Sequence, residues 1–349
     1  MKNGCASFDE KLKNNDILVA EGYIFELERR GYIKAGPFVP EVVLEYPEAV
    51  RELHREFLRA GSDVIVACTY YAHRSKLKAI GKEDRLEALN LQSIALAREV
   101  ADENGAWVAA NLSNTWEYDH AEPEPSGKVV KAIFQEQIDW AKAEGVDLVI
   151  AETFSHLGEA MIALEVIKKA DLPAVITYTT VHEKSCDGYT WEEACRILEE
   201  NGADVVGLNC GRGPETMMPI LERIRNTVKG PVAALPVPYR TTPETPCFFD
   251  LKQKDTKNAF PVALDPFLLN RFETAEFAVQ AKNMGIHYIG LCCGAGPHHI
   301  RAMAEALGRK VPASPYSPEL SLHPVFGEEA SKKQHYIECL YGPNVAEKS

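Results

Sequence analysis

Eight short apolar runs, each followed by a longer amphipathic stretch, constrain this chain more than any other feature. The runs fall at 17–20, 63–68, 106–110, 146–151 and 174–178, then in a stretch ending at Cys210, at 232–235, and in a stretch ending at Leu291. They are continuously apolar rather than alternating, the pattern of parallel strands covered on both faces. Helix-period segments lie between them, over 40–60, 84–103, 129–144, 157–169, 191–201, 216–228 and 270–284. Gly61, Gly105, Gly145, Gly202, Gly230 and Gly285 fall where each helix must turn into the next strand, a place that favours a left-handed residue. Eight such units predict an α/β chain folded as a (β/α)8 TIM barrel. The competing doubly wound sheet would carry a phosphate-type glycine loop after its first strand, and Glu21-Gly22-Tyr23 is no such loop.

Residues 1–311 are expected to form the barrel, with 312–349 as an extension that packs on the barrel or on a partner subunit. That extension carries Phe326, Tyr336 and Tyr341. The stretch 236–269 is long and rich in Pro and Thr, and follows the seventh strand, where it could act as a lid or a dimer contact. A formal charge of −13 argues against nucleic acid and anionic membrane surfaces as partners. The start of the chain is polar, and no apolar run is long enough for a membrane span. Nine cysteines without regular spacing point to a reducing, cytoplasmic setting and to metal or catalytic use rather than disulfides.

Chemistry in such barrels sits at the C-terminal ends of the strands. That rule selects Glu21 after strand one and Cys68, Thr69, Tyr70 and Tyr71 at the end of strand two. It adds Asn111, then Glu152 and Thr153, Tyr178, Asn209 and Cys210, Pro236, and finally Cys292 and Cys293. The set holds thiols, carboxylates, amides and phenols but no histidine or lysine, so metal–thiolate chemistry fits better than histidine general-base chemistry. If Tyr70 and Tyr71 continue the strand, their side chains point to opposite faces. One of them could then hold a cationic donor by cation–π attraction, the alternative being core packing. Glu152 is carried directly into the mouth and is expected to meet a substrate amine rather than to cap a helix, while Glu21 is open between the two.

Gly207-Leu208-Asn209-Cys210-Gly211 and Gly290-Leu291-Cys292-Cys293-Gly294 share one build, and a Gly-Pro pair opens the helix after each. If both strands belong to one barrel, three thiolates converge on a soft cation. Zinc takes tetrahedral sulfur ligands and keeps one position open in catalytic sites. A buried cysteine alone would more often be a small apolar filler. A redox dithiol at Cys292-Cys293 is a further alternative.

The two-part cysteine motif resembles the zinc signature of the homocysteine S-methyltransferase family. Residues 25–32, 53–61 and 298–302 are similar to its betaine–homocysteine methyltransferase branch, and the likeness runs over about 17–307. It implies a zinc-dependent (β/α)8 enzyme with Cys210, Cys292 and Cys293 as zinc ligands, Glu152 on the homocysteine amino group, and Tyr71 near both donor and metal. The sequence departs from that branch in three places: Ala20 for an aspartate that also binds the amino acid, Phe38 for a donor-site tryptophan, and Thr153 for a donor-site tyrosine. Glu21 would supply the lost carboxylate. The implied reaction moves a methyl group from a small onium donor, such as betaine, dimethylsulfoniopropionate, dimethylthetin or S-methylmethionine, to homocysteine, giving methionine. Tyr70, Asn111 and Phe38 are expected beside the substrates, and a homodimer is implied. Two alternatives are a corrinoid-linked homocysteine methyltransferase module and a zinc or redox regulatory barrel without turnover.

Overall fold

The computed structural model describes residues 8–14, 17–255, 257–323, 327 and 338–339. The strands are β1 (Ile17–Ala20), β2 (Val64–Val66), β3 (Trp107–Ser113), β4 (Leu148–Phe154), β5 (Ala174–Thr179), β6 (Val205–Asn209), β7 (Val232–Leu235) and β8 (Tyr288–Leu291). All neighbours pair parallel, and β1 closes on β8 with Ile17 opposite Tyr288 and Ala20 opposite Leu291. The expected eight-stranded barrel is therefore the observed one. Its helices are α1 (Phe8–Asn14), α2 (Tyr23–Arg29), α3 (Val42–Glu45), α4 (Pro47–Ala60), α5 (Arg74–Ala79), α6 (Leu86–Asn104), α7 (Pro123–Ala143), α8 (Leu157–Lys169), α9 (Trp191–Glu200), α10 (Pro214–Thr227), α11 (Arg271–Asn283) and α12 (Pro297–Ala306).

Local chemistry explains both the agreements and the departures. Gly61, Gly105, Gly145, Gly202 and Gly285 take positive φ where helices end. Gly230 does not: α10 stops at Thr227, and its C-cap Val228 is extended. The segment 40–60 is two helices rather than one, because Tyr46 leaves the helical region just before Pro47, as residues before proline tend to. Strands β3 and β4 each run three residues further than expected, so Asn111, Glu152 and Thr153 lie within strands rather than at their ends.

At the N-terminal end of the barrel, an aspartate just ahead of each of β2, β4 and β6 accepts a backbone N–H of the preceding strand. Asp63 accepts from Leu18 at 2.8 Å, Asp147 from Val108 at 2.8 Å and Asp204 from Ala174 at 2.7 Å. Each also pairs with a cation: Lys11 and Arg309, Arg98, and Lys168 respectively. That end is built for stability and leaves the opposite mouth for chemistry.

The chain divides into compact units at 1–311 and 312–349. In the second, the described part includes two single-turn 3-10 helices, Ser314–Tyr316 and Leu320–Leu322. Phe326, Tyr336 and Tyr341 lie outside the described residues. Among the described residues no helix is long and apolar enough to cross a membrane.

Candidate active site at the C-terminal mouth of the barrel

Strand β7 brings the two cysteine segments together. It lies between β6 and β8, and the carbonyls of its last residue and the next take one N–H from each segment: Cys210 N donates to Leu235 O at 3.0 Å, and Cys292 N donates to Pro236 O at 2.9 Å. Both motif glycines sit where neighbouring strands come close, Gly207 against β7 and Gly290 against β1. A Cβ on Gly207 would collide with the Ala233 carbonyl oxygen, and one on Gly290 with that of Val19. Past the strands the chain turns sharply: Cys210 and Gly211 are both left-handed (φ +54° and +76°), as is Gly294 (φ +100°), on which the Tyr239 phenol rests directly. A left-handed cysteine is a strained residue, of the kind that surrounding structure holds in place at functional sites.

The result is a compact sulfur triangle. Cys293 Sγ lies 3.8 Å from both Cys210 Sγ and Cys292 Sγ, and all three sulfurs lie within 4.8 Å of one another. All three thiols are held well above the ordinary thiol range. Sulfur–sulfur hydrogen bonds come first, acting in opposite senses, and burial then raises each one. Such a group sheds its protons only when a cation balances the charge.

Glu152 is buried beside the triangle, bracketed by two amides. Its Oε1 accepts from Asn111 Nδ2 at 2.5 Å and its Oε2 from Asn209 Nδ2 at 2.6 Å. Burial pushes this carboxyl up to about 7, and the bonds from Asn111, Glu21 and Thr153 work against that rise. Glu21 is raised further, by burial and then by the neighbouring Glu152. Two adjacent buried acids cannot both ionise cheaply. The amide donors on Glu152 favour placing the charge there rather than on Glu21. The next residue, Thr153, sits at a register break between β4 and β5 with φ +67°, and its N–H donates to Asn209 Oδ1 at 2.9 Å.

Glu21, Phe38, Tyr70, Tyr71, Asn111, Glu152, Thr153 and the three cysteines all line one cavity of about 220 Å³. The expectation for Tyr70 and Tyr71 needs correction. Strand β2 stops at Val66, so the tyrosines occupy a turn. Freed from strand alternation, both face the cavity, with ring centroids 4.5 Å apart. Burial raises both phenols above the usual range, most strongly at Tyr70. Tyr178 does not reach the mouth: it is fully buried against Trp191, 5.4 Å between centroids. Thr69 and Pro236 do not line the cavity either, although Thr69 Oγ1 donates to Asn111 O at 2.6 Å. Cys68 lines the cavity but stands outside the sulfur triangle, its thiol pushed up to about 12 by burial.

Two features of the site go beyond what the sequence assigns. Asn209 falls at the mouth by strand position alone, yet it joins Glu152, Thr153, Thr177 and Cys292. The phenylalanines Phe248, Phe249 and Phe260, from the long segment after β7, also line the cavity. Their density in a Pro- and Thr-rich stretch is the one sequence signal that points to them.

Residues 18–307 match the model of the homocysteine S-methyltransferase family. The chain is 40% identical over 309 residues to betaine–homocysteine S-methyltransferase 1 of Danio rerio, covering 85% of this chain and 74% of that one. It is 36% identical over 305 residues to S-methylmethionine–homocysteine S-methyltransferase of Rattus norvegicus, covering 85% and 80%. Among solved structures, the metallated form of the homocysteine methyltransferase MmuM from Escherichia coli superposes with a TM-score of 0.66 at 21% identity, over 84% of this chain and 96% of that one, a likeness of fold. The chain belongs to the homocysteine S-methyltransferase family and is an enzyme that transfers a methyl group to homocysteine.

Proposed function

We propose that the sulfur triangle holds zinc and that the enzyme moves a methyl group from an onium donor to the homocysteine sulfur, giving methionine. The observation that carries this reading is the triangle's size. Tetrahedral ligands ~2.3 Å from zinc stand ~3.8 Å apart, and two of the sulfur–sulfur distances are 3.8 Å. A second group, Glu21, Glu152 and Cys292, also has its ligand atoms within 4.8 Å of one another. It offers harder carboxylate ligands, so zinc favours the all-sulfur set. Zinc, when bound there, supplies Lewis acidity that keeps a substrate thiol deprotonated near neutral pH.

The chain's own residues supply the rest. Glu152, locked by Asn111 and Asn209, meets the substrate ammonium with a carboxylate whose direction is fixed. Neutral Glu21 can donate a hydrogen bond beside it. Tyr70, Tyr71 and Phe38 form an aromatic lining against which a cationic methyl donor can pack. The homocysteine sulfur forms the new S–C bond as the old bond to sulfur or nitrogen breaks. That electron pair leaves with a neutral thioether or amine, so no residue need move a proton in the step. All the residues named lie within 1–311, which we take as the homocysteine-binding unit.

The test is metal analysis with a transfer assay. The purified protein should carry one zinc per chain, and Cys210→Ala should lose both zinc and methyl transfer. Tight zinc binding by that variant would overturn the ligand assignment. Inactivity with every onium donor, together with transfer from a corrinoid, would overturn the donor class.

A further inference from the structure

A cluster of phenylalanines forms part of the cavity wall. Phe25 stacks on Phe38, 5.2 Å between centroids and 9° from parallel. Phe260 lies 6.3 Å from Phe25, 5.4 Å from Phe248 and 4.6 Å from Phe249. All five line the cavity. The wall is fixed to the cysteine segment: Phe248 N donates to Gly211 O at 2.9 Å, and the Phe248 ring stacks on Tyr239, which accepts from Arg29 and rests on Gly294. Phe249 and Phe260 are half-buried, with surface left for a ligand.

The electrostatics of the lining are one-sided. Among the described residues it includes two carboxylic acids, Glu21 and Glu152, and no lysine, arginine or histidine. Lys76, whose ammonium stands 4.3 Å from the Tyr71 ring and 4.7 Å from that of Trp116, is not part of it. An onium ion spreads its charge over alkyl groups and is attracted to aromatic rings. A carboxylate placed on the same wall would lose hydration without a counter-charge.

We propose that the methyl donor is recognised by its onium alkyl groups alone, on the wall formed by Phe25, Phe38, Phe248, Phe249 and Phe260. A carboxylate elsewhere on the donor adds nothing to recognition. The substrate class is therefore small trialkylsulfonium and tetraalkylammonium ions at large, and Phe249 and Phe260 are specificity-determining residues. The inference rests on the onium-donor reading given above and narrows it.

Binding separates the two claims. Calorimetry on the zinc-loaded full chain, with homoserine filling the amino-acid half without a thiol to methylate, would compare tetramethylammonium with glycine betaine. Their dissociation constants should agree within about threefold, and Phe249→Leu and Phe260→Leu should weaken both cations alike, by roughly three- to fivefold. Homocysteine affinity and melting temperature should stay unchanged in those variants, which guards against simple misfolding. Betaine binding more than about tenfold tighter would show carboxylate recognition and overturn the proposal. So would the absence of tetramethylammonium binding, or unchanged donor binding in both variants. If the cations bind as expected but no onium donor transfers a methyl group, the wall stands as a cation site and the donor reaction is what fails.

Discussion

Asn209 commits its whole side-chain amide to the site. Its Oδ1 accepts from Thr153 N and Thr177 Oγ1, both at 2.9 Å, while Nδ2 faces Glu152 Oε2, Thr153 Oγ1 and, at 3.7 Å, Cys292 Sγ. Asn209→Ala would release the Thr153 turn and strip one donor from a buried carboxylate. Supporting residues around metal sites cost ~10–100-fold on mutation, and here the loss should fall on KM for homocysteine. Metal content should hold, since all three sulfurs remain, and metal analysis beside steady-state kinetics checks both. His54 acts on stability instead. It is fully buried against Tyr23, its ring nitrogens have no hydrogen-bond partner, and burial lowers it to about 3. In the unfolded chain it titrates near ~6.5. Between these values the unfolded state takes up a proton that the folded state refuses, so the stability contributed above pH ~6.5 is lost as pH falls toward 3, by about 1.4 kcal/mol per unit. His54→Leu should flatten the urea-unfolding profile between pH 6 and 4 relative to the parent; an identical slope would show that His54 is protonated in the fold.

At the scale of elements, the two ends of the strands answer to different demands, and substitutions should separate them. Gly207→Ala places a methyl against the Ala233 carbonyl, so β6 and β7 must part where they hold Cys210 and Cys292. Overpacking of this kind costs ~1–3 kcal/mol, and metal affinity should fall with stability. Asp147→Ala leaves the N–H of Val108 and the Arg98 guanidinium without their carboxylate at the other end. A comparable ~1–3 kcal/mol should be lost, with metal affinity intact; titration of the zinc constant in both variants tests the contrast. The same asymmetry governs how much of the molecule is legible in its sequence. Apolar runs and helix-ending glycines announce a barrel because burial and left-handed turns impose them residue by residue. The cysteine motifs are legible because each follows its strand directly. Tyr70 and Tyr71 defeat strand alternation because β2 ends early, which its apolar run through Cys68 does not reveal. The phenylalanine wall leaves no periodic trace, because it depends on how the 236–269 stretch folds back over the mouth.

Across the whole molecule, the sulfur triangle joins strands that are remote in sequence. Cys210 and the Cys292–Cys293 pair meet only once β6, β7 and β8 stand side by side in the closed barrel. The unfolded chain offers scattered thiols at ordinary proton affinity, whereas the fold offers three at fixed spacing. On the proposed zinc reading, the metal binds the native state in preference, and the difference is folding free energy. Free metal at a thousand times its dissociation constant contributes ~4 kcal/mol. In a domain somewhat larger than 250 residues, ~1 kcal/mol moves the melting temperature by about 2 °C. Chelation should accordingly lower the melting temperature of the native protein by roughly 5–10 °C. Cys210→Ala should melt near that lower temperature from the outset and ignore the chelator, because it lacks the sulfur that ties β6 to β8. A native protein that surrenders its zinc and melts unchanged would mean that the barrel gains nothing from the metal. The strained turn at Cys210 would then rest on its bond to the Leu235 carbonyl, and the Gly207→Ala variant, in which that hold is loosened, should lose zinc far more readily than it loses its fold.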